Sequence, residues 1–243
     1  MSATPNRRLR QPQRLPSGRH GLPRSFVVSN QRERILDAVA DVTSLAGYAA
    51  MTVKDIIATA GVSRRAFYDH FRDKEEAYLA AYDAAVAQVI GLMQEAISQN
   101  DTFPGRVRDC LAAGLEFAAN EPRFADMCIV EAPAAGRQAI QRRNGAIGAV
   151  AALLHAAAED STDGTTPPAL VAETIVGGVY EVVYARVLQG QTQELPNLQH
   201  DLAYSVMLPY IGHDAAKREA AEPPSNREPS RSALKAASDS PQT

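Results

Sequence analysis

The sequence predicts an all-α protein, and three observations carry that prediction. Apolar residues recur at steps of three and four from about Ser29 to Ile211, with no convincing period-two strand. Helix stop and start signals punctuate the pattern, with glycines behind apolar runs and Ser, Thr or Asp in front of them. Proline falls at Pro122, Pro167 and Pro196, where it suits the first turn of a helix rather than an interior.

The first helix starts from a cap at Ser29 or Asn30 and ends at Gly47, with Ile35, Leu36, Val39, Val42 and Ala46 on one face. A second begins at Thr52, whose hydroxyl can cap while Asp55 reaches back. It buries Val53, Ile56 and Ile57 and stops at Gly61. Ser63 caps a third, very short helix ending near Phe71, and Asp73 followed by Glu76 restarts a long fourth through Tyr78, Ala85, Leu92 and Ala96. Further helices are expected at about 104–120, 122–131, 135–159, 167–189 and 196–211, the fourth of these apolar on nearly all sides. The expected organisation is a flexible basic arm over 1–28, a three-helix unit over 29–76, a helical bundle over 77–212 and a disordered tail over 213–243.

Composition narrows the function. The 243-residue chain has a net charge of −3, but residues 1–74 hold 13 basic against 6 acidic groups, a balance of +7, while residues 75–243 hold 12 against 22, a balance of −10. One end is built to meet an anion, either nucleic acid or an anionic surface. No apolar run is long enough to span a membrane and no export signal is recognised, so a soluble cytoplasmic protein is expected. Cys110 and Cys128 have neither CxxC spacing nor a histidine pair nearby, so no disulfide framework, metal site or cofactor is expected.

Two short helices joined at "TAGVS" have the form of a helix-turn-helix, whose second helix lies in the DNA major groove. Val62, Phe67 and Phe71 point inward, which leaves Arg64, Arg65, Tyr68 and the edge of His70 outward. An arginine offers two donors to guanine, whereas Thr52, Ser63, Tyr68 and Lys74 suit phosphate oxygens. His70 either touches DNA or packs against the fourth helix, and Asp69 either accepts from a cytosine amine or points away.

Residues 32–83, with Gly-Tyr ending the first helix, the Thr opening the second, "AGVS", the aromatic-Tyr-x-His-Phe block and Asp-Lys-Glu opening the fourth, resemble the DNA-binding domain of the TetR family of bacterial transcriptional regulators. The resemblance implies a sequence-specific regulator, a repressor released from a palindromic operator by a small-molecule inducer, nucleoid-associated when bound. It places Thr52, Ser63, Arg64, Arg65, Tyr68, His70 and Lys74 at DNA. Arg65 stands where a small residue is frequent in that family, which allows an additional contact. The basic arm, through Arg19, His20 and Arg24, is expected to follow the backbone or enter the minor groove.

A short reading helix contacts few base pairs, so a homodimer on an inverted repeat is expected. Its interface is sought on the last two long helices, at Val171, Ile175, Gly178, Val182, Leu202 and Val206, where Gly177 and Gly178 admit a neighbouring helix; the resemblance implies the same surface. Met93, Phe103, Phe117, Phe124, Met127, Cys128, His155, Tyr180 and Tyr184 are candidates for an apolar ligand pocket, with Glu131 and Glu181 read as surface carboxylates. Three rival readings remain. A thiol redox sensor would use Cys110 and Cys128. An enzyme or helical ligand-binding protein without specific DNA binding lacks any HExxH, GxSxG, Walker or dinucleotide pattern. A sequence-independent binder fits poorly with the acidic carboxyl-terminal two-thirds.

Overall fold

The computed structural model describes residues 24–160 and 166–225, with side chains from Val28 onward, and among these every regular element is a helix. They are α1 (Arg24–Ala50), α2 (Val53–Ala60), α3 (Arg64–His70), α4 (Lys74–Ser98), α5 (Phe103–Asn120), α6 (Pro122–Ala125), a π-helical turn (Asp126–Val130), α7 (Arg137–Glu159), α8 (Ala169–Leu188), a 3-10 stretch (Thr192–Leu198), α9 (Gln199–Ile211) and α10 (His213–Ala221).

Local chemistry sets the amino-terminal boundaries. Thr52 caps α2 in a reciprocal box with Asp55, and Gly61 ends it in the left-handed conformation at φ 59°. Arg34 reaches from α1 to the last carbonyls of α2, donating to Ala60 O and, at 2.9 Å, to Gly61 O. Ser63 and Asp73 cap α3 and α4 by accepting from Ala66 N and Glu76 N. Gly47, at φ 77° and ψ 155°, is non-helical and breaks α1 at the position expected, with one short further turn to Ala50.

The core of α1–α3 is Ile35, Val39, Met51, Ile56, Phe67 and Phe71, and it runs without a break into Tyr78, Tyr82, Phe124 and Met127. The first half of α4 therefore belongs to both the small unit and the bundle. Beyond it, α4 and α5 form an antiparallel hairpin, α7 packs on α4 and α8, and α9 and α10 lie against α5.

Several expectations are corrected. The first helix begins at Arg24 rather than Ser29, inside the stretch expected as arm. The helix expected over 122–131 is one α turn followed by a π-helical turn, and Pro196 sits inside the 3-10 stretch ahead of α9. Residues 213–221, expected as tail, form α10: Ala216 and Ala220 are buried, and Arg108 donates to both the backbone and the carboxylate of Glu219. The charged and proline-rich composition masked this short docked helix. Residues 1–23 and 226–243 lie outside the described residues.

Candidate nucleic-acid interface and ligand cavity

The outer face of α3 presents Arg64, Arg65 and Tyr68, all exposed, with Tyr68 46% accessible above a Phe67 that is fully buried. The Arg64 guanidinium lies 5.6 Å from the Tyr68 ring centroid, and Tyr68 meets Phe67 edge-on at 5.4 Å. A buried aromatic thus orients an exposed one, which orients a cation. Thr52 and Ser63 stand exposed at the starts of α2 and α3, their hydroxyls already engaged as caps.

Two other residues of the expected set have contacts within the protein. The Lys74 ammonium donates to Tyr48 O at 3.1 Å and Met51 O at 2.9 Å and sits 4.6 Å from the Tyr48 ring centroid, so it closes the turn between α1 and α2. His70 is half-buried beside Phe71; burial, then the Arg32 charge, push it below its ordinary value. Arg19, His20 and the side chain of Arg24 lie outside the described residues.

Behind this unit the bundle encloses a cavity of about 250 Å³ between α4, α5, α7, α8 and the π-helical turn. Its wall runs from Tyr82 to Ile97 on α4 and from Arg143 to Ala157 on α7. At about 1.5 Å rise per residue these stretches are roughly 20 Å long, so the space is an elongated slot. Apart from Tyr82, Tyr180, two thiols and two guanidiniums, its lining side chains are apolar. Of the predicted pocket residues the structure brings together Met93, Phe117, Phe124, Cys128 and Tyr180. A Cβ at Gly114 would run into the Met93 methyl, so that glycine gives the methionine its place in the wall.

The others are corrected. Phe103 packs on Tyr210 at 4.9 Å in a separate cluster. Met127 is buried in the core shared with α1–α3, where its carbonyl accepts from the Tyr78 hydroxyl at 2.7 Å. His155 faces Glu159 at 3.5 Å, and Tyr184 does not line the slot. Glu131, read as a surface carboxylate, is half-buried and accepts from Tyr48 N at 2.8 Å, directly below the Gly47 kink. Sequence periodicity missed Arg143, Arg106 and Tyr82, although Arg143 shares a helical face with Ile147, Val150 and Leu154.

Both thiols line the slot, and burial pushes Cys110 up to about 12 and Cys128 further. Thiols held protonated are poor nucleophiles, which removes the basis for a redox sensor. At the expected interface, Leu202 and Val206 are buried within the subunit and Val206 lines the slot; Gly178 and Val182 are exposed, as is Leu208 nearby on α9. Nothing lies within 4 Å of a Cβ built on Gly177 or Gly178, so that surface of α8 has open space. None of the described helices is long and apolar enough to cross a membrane.

The α6 segment and the π-helical turn join slot and reading head. Phe124, Ala125, Cys128 and Ile129 face the slot. From the same nine residues Arg123 donates to Asp41 at 2.8 Å and Asp37 at 3.3 Å on α1. Burial outweighs the arginine at Asp37 and raises its carboxyl above the ordinary range.

By fold and site this is a helix-turn-helix protein, a basic reading head carried on a helical bundle that encloses an apolar slot. Residues 35–81 match the family described as bacterial regulatory proteins, tetR family. An HTH-type transcriptional repressor of Mycobacterium tuberculosis is 36% identical over 106 residues, 39% of this chain; the match spans only about half, 54%, of that repressor. The fold is shared with the fatty acid degradation regulator FadR of Bacillus halodurans (TM-score 0.64, 18% identity, 74% of this chain and 98% of that one). It is equally shared with FadR of Bacillus subtilis in complex with stearoyl-CoA (TM-score 0.63, 20% identity, 74% and 97%).

Proposed function

We propose that the protein is a DNA-binding transcriptional regulator, a repressor that acts as a homodimer on an inverted-repeat operator and is released by a small molecule in the slot. The observation that carries this is the exposed Arg64, Arg65 and Tyr68 set on a buried Phe67, in a domain matching the tetR family. A single seven-residue helix reads too little sequence alone, and the open, partly apolar α8 and α9 surface around Gly178, Val182 and Leu208 supplies a place for a second copy. The slot's shape fits an elongated apolar ligand, as does the stearoyl-CoA bound by a neighbour of the same fold. Sequences selected by the protein from a random duplex library at fixed salt should contain an inverted repeat. Recovery of no motif, with weak salt-sensitive binding only, would overturn the proposal.

The coupling proceeds through the α6 segment. A ligand that displaces Phe124 or Cys128 moves the backbone carrying Arg123, Met127 and Glu131, each of which holds α1 or the start of α4. Operator affinity changes only by the ligand's differential affinity for the two positions of that segment. Arg123→Gln should therefore leave a neutral apolar probe bound in the slot while shrinking the ratio of operator affinities without and with dodecanoate towards one. A ratio equal to that of the parent protein would exclude Arg123 from the linkage.

A further inference from the structure

We infer that the slot takes an elongated apolar carboxylic acid whose carboxylate is bound by Arg143 at the end nearest the reading head, with the chain lying towards Ile97 and Leu154. The assignment rests on the slot being the ligand site, and it adds the ligand's charge, its orientation and its anchor.

The wall contains two arginines and no acidic side chain. Arg106, at the far end, is already engaged: its Nε donates to Asn100 O at 2.9 Å and its Nη1 faces Ala157 O and the Asp160 carboxylate at 3.4 and 3.3 Å. Arg143 is not. Its Nε is buried with no hydrogen-bond partner. Its Nη2 is 3.6 Å from a Glu181 carboxylate whose side chain is 65% exposed, a loose pair of the kind that contributes little. The guanidinium Cζ lies 4.7 Å from the Tyr180 ring centroid, a contact that restricts its orientation.

The Arg143 side chain keeps 25% of its surface exposed, but its buried Nε is unsatisfied, and such a donor is costly unless an acceptor completes it. Within the slot wall the guanidinium's neighbours are neutral, so its charge favours an acidic occupant. Tyr180, pushed up to about 12 by burial, stays a neutral donor and gives its proton to Ile129 O at 3.1 Å. Tyr82 is likewise raised by burial, and the Cys128 thiol stays protonated. A planar carboxylate accepts from two guanidinium nitrogens at once, a geometry that an alcohol or thioester cannot reproduce. The aliphatic wall from Val86 to Ile97 and from Ile147 to Leu154 then covers the chain. The anchor also touches the regulatory element, because Tyr180, which carries Arg143 on its face, is bonded to the π-helical turn through Ile129.

The test is displacement of the neutral fluorophore N-phenyl-1-naphthylamine from the full-length protein, suited to a chain without tryptophan. Dodecanoate, dodecanol and dodecanoyl-CoA serve as competitors against the parent protein, Arg143→Gln and Arg143→Lys. Dodecanoate should compete more tightly than dodecanol, Arg143→Gln should weaken dodecanoate about ten- to a hundredfold without changing dodecanol, and Arg143→Lys should recover part of the loss. Retained fluorophore binding and circular dichroism in Arg143→Gln show that the variant folds. Equal competition by acid and alcohol, insensitive to Arg143, would overturn the anchor and leave the apolar slot standing. Competition by dodecanoyl-CoA alone, independent of Arg143, would also overturn it. Failure of the fluorophore to bind the parent protein would instead remove the slot as a ligand site.

Discussion

Phe67→Ala should lower stability by about 3–5 kcal/mol, the largest effect of any single change in the reading head. Phe67 is fully buried and meets Tyr68 at 5.4 Å and Phe71 at 5.9 Å. A seven-residue helix cannot hold its shape by propensity alone, so α3 depends on this ring to dock it against α1 and α2. The core around Phe67 continues into Tyr78 and Met127, so the cavity left by truncation cannot collapse locally without disturbing the start of α4. Urea unfolding followed by circular dichroism checks the magnitude, and operator binding should fall with it. A loss below about 1 kcal/mol would mean that α3 is held by its Ser63 cap and not by aromatic packing.

Arg64→Ala and Arg65→Ala should each weaken operator binding by about 1–3 kcal/mol if the arginine reads a guanine, relaxing preference at that base pair only. Both side chains are exposed and neither has a carboxylate partner among the described ion pairs, so their removal carries no expected folding penalty. Arg64 has the stronger geometric case, because its stacking on Tyr68 restricts the rotamers it must otherwise lose on binding. Binding titrations against an operator and single-base variants, repeated over a range of salt, separate the possibilities. A uniform loss across sequences with a shallower salt slope marks a phosphate contact instead.

The helix-turn-helix was legible because its determinants are local. The Thr52 and Asp55 box, Gly61 in its left-handed turn, the Ser63 cap and the three-residue spacing of inward aromatics act within a few residues of one another. The internal partners of Lys74 were not legible for the opposite reason: the carbonyls its ammonium binds lie 23 and 26 residues earlier. Arg123 shows the same limit over a longer range, as its partners Asp37 and Asp41 are 86 and 82 positions away.

Composition also misled where a short element depends on docking. The stretch from His213 is charged and alanine-rich, with nothing to bury beyond Ala216 and Ala220, yet Arg108 and His200 bind its backbone and hold it as a helix. Similarly, Phe103 and Met127 have the size of pocket residues, and only the packing of α9 and of the α6 segment decides that they face other cores.

What the sequence determined by itself is the all-α class, the helix-turn-helix and the side chains that its third helix leaves exposed, because capping, turn chemistry and helical periodicity are set by near neighbours. Which arginine lines the slot, which thiols are buried and which segment joins slot to reading head were decided only in three dimensions. Those properties depend on how far water is excluded and on which distant group stands opposite, and neither quantity is written into the spacing of residues along a chain.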